Sequence, residues 1–256
     1  MNLNENQIDA LKDLLYKMAD DQLIIGHRNS EWTGLGPVLE EDIAFSSMAQ
    51  DKIGQSYQLY SLLNQLGESD PDTVAFTRNA EQFHCCDYVC HPIGEYDFSL
   101  VRHFFFDNAE LLKFESLASS KFDPLAMLAR KFKGEIKYHV MHANTWIKQL
   151  AQGNEESKVR IQNTINTCFN DALGIFEPGK YEQELIDSDF YKGEVAIQEL
   201  WYNHVKQIVE SAGLTIPALD TSKALYGGRY GKHSEHLQPM LSEMTEVYSI
   251  DPAAEW

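Results

Sequence analysis

Apolar residues in this chain recur at three- and four-residue spacing in segment after segment and nowhere sustain the alternation of a strand, and that period limits the possible folds more than any motif does. Ile8, Leu11, Leu15, Met18, Leu23 and Ile25 predict a first helix over 7–26. A Gly-bearing connector from Ser30 to Pro37 leads to a second, over 38–66, with Ile43, Met48, Ile53, Tyr57, Tyr60 and Leu63 on the period and Gly67 at its end. Residues 67–97 carry Pro71, Pro92, Gly94 and clustered Asp, and predict an extended excursion with one short helical turn. A third helix is expected over 98–119, a fourth over 123–153 opened by Asp123-Pro124, and a fifth over 155–173. A sixth follows over 193–213 with Val195, Leu200, Trp201, Val205 and Ile208 inward, then a Gly-rich linker over 214–232 and a last helix over 234–248 before an acidic tail ending in Trp256. Long helices of this kind bury their apolar stripes against one another. The expected fold is an all-α four-helix bundle with additional helices, one domain over 1–256, with the core bundle at about 7–173 and the additional helices at about 193–248.

Composition excludes several function classes. Hydrophobic residues make up 43% of 256, enough for a real core. No run approaches the roughly 20 apolar residues of a membrane span, and the opening MNLNENQIDALKDLL has neither basic nor apolar leader regions, so a cytoplasmic location without membrane contact is expected. Lys plus Arg number 21 against 39 Asp plus Glu, a net charge of −18 that repels nucleic acid and favours a basic partner surface. The four cysteines read as reduced thiols. Gly-x-Ser-x-Gly, P-loop and dinucleotide fingerprints do not occur.

A four-helix bundle that holds two irons draws a carboxylate from each of two helices and a Glu-x-x-His pair from each of the other two. On the second helix the three-residue pair is Lys52 and Gln55, neither of which can replace Glu and His: an ammonium is a donor-only cation. Two readings of Lys52 stay open, a lysine on a solvated face or a cation standing where metal would sit among Asp21, Glu110 or Asp51. On the fourth helix Ile136 occupies the place of the Glu that would pair with His139, although Glu135 and His139, four residues apart, still share a face. Asp20 or Asp21 on the first helix and Asp107 or Glu110 on the third are the remaining carboxylates, with surface salt bridges as the alternative. The site positions are therefore Asp21, Lys52, Gln55, Glu110, Ile136 and His139, read as a degraded metal set, with no catalytic residue assigned.

His84-Cys85-Cys86 and Cys90-His91 contain soft ligands, yet their spacing matches no standard zinc pattern, so buried free thiols are the plainer reading. His233, Glu235 and His236 open the last helix as a cap or an anion contact. Phe104, Phe105 and Phe106 read as core or interface.

The string from Ala19 to Trp32 (ADDQLIIGHRNSEW), Glu40-Glu41-Asp42-Ile43-Ala44, Ala75-Phe76-Thr77-Arg78, Ile136-Lys137-Tyr138-His139, Gly227-Gly228-Arg229 and Gly231 to Met240 (GKHSEHLQPM) occur in order across nearly the whole chain. Together they resemble the ferritin-like subunits of the phenylacetyl-CoA epoxidase (1,2-phenylacetyl-CoA monooxygenase) family, in particular the C-subunit type. The resemblance implies a ferritin-like bundle in aerobic phenylacetate degradation. It also implies a catalytic ferritin-like partner that carries the di-iron centre and inserts oxygen into the ring of phenylacetyl-CoA. This chain would then be a metal-poor, non-catalytic structural subunit with no cofactor of its own, docking on that partner and self-associating when isolated. The catalytic subunit's Asp-Glu-x-x-His string is matched here by Asp51, Lys52 and Gln55, and only His139 survives opposite Ile136. The cysteine-rich stretch 84–91 departs from the family pattern. The rival reading is an oxygenase with an irregular iron site built from Asp21, Glu110, Glu135 and His139.

Overall fold

The computed structural model describes residues 3–251 and 254, in which ten α-helices and no strand occur. They are α1 (Glu5–Ser30), α2 (Leu39–Gln65), α3 (Pro71–Phe76), α4 (Asp87–Cys90), α5 (Tyr96–Leu117), α6 (Asp123–Ala151), α7 (Glu155–Ala172), α8 (Glu182–Asp187), α9 (Glu194–Ser211) and α10 (Leu237–Thr245). No helix among the described residues is long and apolar enough to cross a membrane. Trp256, at the end of the expected tail, lies outside the described residues.

Local chemistry explains the helix starts. Asn4 caps α1 by accepting from the Gln7 amide at 2.9 Å, while the Gln7 side-chain oxygen accepts from the Asn4 amide. Asp70 caps α3 ahead of Pro71, Asn154 caps α7, and α6 has Pro in its first turn.

Side-chain contacts fix the directions of the four long helices. Gln22 meets Glu110 and Asn29 meets His103, so α1 and α5 are antiparallel. Gln55 meets Glu135 and Glu41 meets Trp146, so α2 and α6 are antiparallel. Glu41 meets Tyr96 and Lys52 meets Asp107, so α2 and α5 are parallel. Residues 66–95 must therefore return along the length of the bundle before α5 begins, the single long crossover of one class of four-helix bundle. The crossover is more helical than the Pro and Asp content suggests, containing α3 and α4 and a 3₁₀ turn at Ala80–Gln82. Outside the four helices, α7 and α9 pack on α5, α8 packs on α1, and α10 packs on α3. The short α8 has no periodic signature in sequence; its Leu185 is buried while Ile186 is not.

Two expectations from periodicity need correction. Ile43, Ile53 and Tyr57 lie on the outside of α2, 60%, 41% and 56% exposed, and Val195 and Leu200 are also exposed on α9. The inner face of α2 instead carries Lys52, Gln55 and Ser56, all buried, so a polar interior displaced the expected apolar stripe.

Residues 214–232 are not a simple linker. Gly227 to Gly231 press against the crossover so closely that a Cβ on Gly228 would stand 2.3 Å from the Cys85 carbonyl oxygen and one on Gly231 2.1 Å from that of Glu81. This approach sends Arg229 into the core, 2% exposed, where its guanidinium donates to Asp21 at 2.8 Å and to the carbonyls of His84 and Ile175 at 2.9 Å each. Burial alone would lower the guanidinium pKa, but Asp21 holds it well above its ordinary value. Replacing Arg229 with Met should strand the Asp21 carboxylate and cost on the order of 3–5 kcal/mol. Urea denaturation of parent and variant measures this; a difference under about 1 kcal/mol would mean that the segment adds little to the core.

Candidate functional site

Of the positions singled out on the four long helices, Lys52 and His139 approach Asp107 at mid-bundle, within a network of ion pairs and hydrogen bonds. Lys52 is fully buried and its ammonium donates to Asp107 at 2.6 Å, with the Phe106 ring 4.9 Å away. The second Asp107 oxygen stands 2.7 Å from His103 Nδ1, and His103 Nε2 stands 2.7 Å from the Asn29 side-chain oxygen. A chain of polar contacts thus crosses from α2 through α5 to α1. Lys52 does not pair with Asp21, Glu110 or Asp51; its partner is Asp107, the other α5 carboxylate in view from the sequence.

Electrostatics set the protonation states. Burial alone would raise the Asp107 carboxyl; Lys52 and His103 overcome this and hold it well below the usual carboxylate range. Burial pushes His103 down to about 4 despite the neighbouring carboxylate.

The other predicted positions have separate partners. Asp21 turns to Arg229 and to the Cys86 amide. Asp20 turns to the crossover, accepting from Arg78 at 2.6 Å and from Tyr60 at 2.5 Å. Glu110 accepts from Gln22 at 2.5 Å and lies 3.4 Å from the Lys113 ammonium; burial raises its pKa against the pull of Lys113 and Lys52. Gln55 donates to Glu135 at 2.8 Å. His139 Nε2 meets Asp51 at 3.0 Å, and its Nδ1 comes within 4.0 Å of Asp107. Ile136 is fully buried in the apolar core.

This donor set does not fit a pair of irons. The helix-two positions offer an ammonium and a neutral amide, Ile136 offers nothing, and Asp21 and Glu135 are turned to different partners. Among the described residues, no three His, Cys, Asp or Glu side chains at mid-bundle bring ligand atoms within 4.8 Å of one another.

Two further buried clusters carried no motif. Lys17 donates to Glu194 of α9 at 2.8 Å, with Lys113 at 3.9 Å, and these cations pull the Glu194 carboxyl down to about 2 against the opposing effect of burial. At the far end of the bundle Glu41 accepts from Trp146 at 2.7 Å, from Tyr96, and contacts His142 Nε2 at 2.8 Å. The pattern Glu41…Tyr96…His142…Trp146 spans three helices, so only the three-dimensional register reveals it.

The cysteine-rich stretch is buried, but its soft ligands separate. Cys86 faces inward beside Asp21, His84 contacts the Arg229 carbonyl, and His91 lies near Asp87. Cys85 and Cys90 face each other, and the histidine that joins them is His233, not His84 or His91. His233 is thus no helix cap, and His236, at the start of α10, makes no side-chain cap bond but stacks edgewise on His91 at 5.4 Å. Phe104, Phe105 and Phe106 are all core; Phe105 packs on Trp201 at 5.6 Å.

The family model described as phenylacetic acid catabolic protein matches residues 1–256. The chain is also similar to the C-type subunit of 1,2-phenylacetyl-CoA epoxidase from Escherichia coli (strain K12), 29% identical over 241 residues that cover 94% of this chain and 96% of the relative.

The Lys52–Asp107 pair generates a pH-dependent prediction. In the parent the depressed Asp107 carboxyl contributes stability at every pH above about 4, and the contribution fades only below that. In Lys52→Met the ammonium is gone, and burial pushes the same carboxyl above its ordinary value, His103 and His139 being the other titratable groups facing it. The variant is then penalised in full at neutral pH, by about 3 kcal/mol, and the penalty lifts as pH falls toward about 4. Thermal melts at pH 7 and at about pH 5 should show the deficit shrinking with acid; equal stability at pH 7 would remove the pair from the account of the core.

Proposed function

The chain belongs to the phenylacetic acid catabolic protein family, and we propose that it is the non-catalytic partner subunit of a multicomponent phenylacetyl-CoA epoxidase in phenylacetate degradation. The observation that carries this reading is the buried Lys52–Asp107 pair at mid-bundle. It fills with a fixed cation the place where a ferritin-like oxygenase subunit would hold iron. The oxygen chemistry would then be supplied by the iron pair of a catalytic ferritin-like subunit, and this chain would hold that subunit's helices in register. The similarity over almost the full length to the C-type subunit of an epoxidase supports the same assignment.

Surfaces suited to such a partner lie on the outer sides of α2 and α6. Leu39, Ile43, Ile53 and Tyr57 fall on one stripe of α2, and Met127, Tyr138 and Met141 on one stripe of α6, all exposed. Apolar stripes on two adjacent helices are the usual footprint of a protein interface. The net charge of −18 favours a partner with basic residues around its own face.

Two measurements test the reading. Metal analysis of the purified chain should find substoichiometric iron, and about two irons per chain would overturn the non-catalytic assignment. Co-expression with the catalytic subunit of the family should yield a stable complex. The double substitution Ile53→Glu and Tyr57→Glu, both on exposed positions, should weaken that complex by at least about tenfold with helical content unchanged. A chain that never co-purifies with the catalytic subunit would sink the proposal.

A further inference from the structure

The crossover and the C-terminal segment bring together three side chains that the bundle network does not use. Cys85 and Cys90 are fully buried, and their sulfurs lie 3.5 Å apart. His233 Nε2 reaches to 3.4 Å from Cys85 Sγ. All three ligand atoms fall within 4.8 Å of one another, the only such group of His, Cys, Asp or Glu among the described residues. We propose that Cys85, Cys90 and His233 form a zinc site that ties the C-terminal segment to the crossover.

The spacing fits the ion. Tetrahedral zinc, with bonds of about 2.3 Å to sulfur and about 2.0–2.1 Å to nitrogen, places two sulfurs roughly 3.8 Å apart and a sulfur and a nitrogen roughly 3.6 Å apart. The observed 3.5 Å and 3.4 Å need adjustments of a few tenths of an ångström. The ligand chemistry fits as well: thiolate and imidazole are the donors zinc prefers, whereas calcium and magnesium require oxygen. On binding, both thiol protons leave to solvent; Nε2, which also faces the Cys85 carbonyl oxygen at 3.1 Å, must be free of its proton, which moves to Nδ1 in a neutral ring and leaves to solvent from an imidazolium. Zn²⁺ with two thiolates and a neutral imidazole carries no net charge, which a buried site tolerates. His233 is only partly buried, so its side offers a path for the ion and a water for the fourth position. Asp87 is not available there. One of its oxygens accepts from the Ser234 amide and hydroxyl, and the other lies near His91, so it positions the residue next to His233.

The role that follows is structural. Residues 85–90 stay on the bundle through Arg28, which donates to the Cys90 carbonyl at 2.8 Å. Residue 233 follows directly on the loop that inserts Arg229. An ion bridging them would lock that loop in place, since a site absent from the unfolded chain returns its binding free energy as folding stability.

The test uses the full chain, stripped of metal under reducing conditions and titrated with Co²⁺ and then Zn²⁺. One Co²⁺ per chain should bind, with a thiolate-to-cobalt charge-transfer band in the near ultraviolet and intense tetrahedral d–d absorption. Zn²⁺ should displace it, release protons and raise the melting temperature. Cys85→Ser, Cys90→Ser and His233→Gln should each weaken binding by at least about tenfold. Cys168→Ser, altering the buried thiol beside Tyr88, should leave binding unchanged. His233→Gln, at a partly exposed position, separates loss of metal from loss of fold, with circular dichroism as the check. The proposal is overturned if no thiolate charge-transfer band forms, if binding survives Cys90→Ser and His233→Gln, or if the two sulfurs prove to be joined as a disulfide in reducing buffer.

Discussion

Everything at the centre of this bundle depends on one constraint: an ionised group removed from water must have a partner within reach, because burying it alone costs several kcal/mol. Asp20, Asp21, Asp107, Glu110 and Glu194 are all fully buried. Asp107 is met by Lys52, Asp20 by Arg78, Asp21 by Arg229, Glu194 by Lys17, and Glu110 by Gln22 and Lys113. Only some of these partners come from the four long helices. Arg78 belongs to the crossover and Arg229 to the C-terminal segment, while Glu194 opens α9. The segments outside the four helices therefore complete the charge balance of the interior as well as adding apolar cover.

A metal centre and an ion-pair network are two answers to the same problem. Carboxylates gathered between helices can be neutralised by divalent or trivalent ions, or by side chains that carry the charge themselves. Lys52 takes the second route with geometry to match: a short bond to one Asp107 oxygen, an aromatic face beside the ammonium, and the His103 ring on the other oxygen. Because the cation is covalently attached, it cannot exchange, change oxidation state or present an open coordination position. What it contributes is rigidity and register between α2 and α5.

The long helices were legible in the sequence because their apolar period is strong and their ends carry Asn, Pro and Gly signals; α1, α2, α5, α6, α7 and α9 fall within a few residues of the expected ranges. The ligand spacing of a di-iron bundle also says where to look, and it drew out Lys52 and His139, both of which lie within 4.0 Å of Asp107. Pairing was not legible. Whether Lys52 meets Asp107 or Glu110 depends on the rotation and axial offset of α5 against α2, which no period in a single helix encodes. The same holds for Glu41 with Tyr96, His142 and Trp146. Residues 214–232 misled because glycine signals freedom in an isolated chain, whereas Gly228 and Gly231 serve close approach. Sequence reading grouped His84 and His91 with the cysteines by proximity along the chain, while the fold chose His233, 148 positions beyond Cys85.

The additional helices also determine which surface remains for a partner. With α7 and α9 packed on α5 and α8 packed on α1, those two long helices are covered on the side away from the central network. Every residue from Ser99 to Glu110 of α5 is buried as a result. On α2, which carries α3, and on α6, which carries α7, the stripes with Ile43, Ile53, Tyr57, Tyr138 and Met141 stay exposed. Leaving such side chains in water forgoes roughly 25 cal/mol for each Å² that an interface would bury. A second copy of this chain could cover them, but two bodies at −18 approaching face to face repel each other, and the repulsion is screened only beyond about 8 Å at physiological salt. A different chain with compensating basic residues gains the same apolar contact without that penalty. The exposed apolar stripes of α2 and α6 and the acidic balance of the chain therefore favour a different chain over a second copy as their cover.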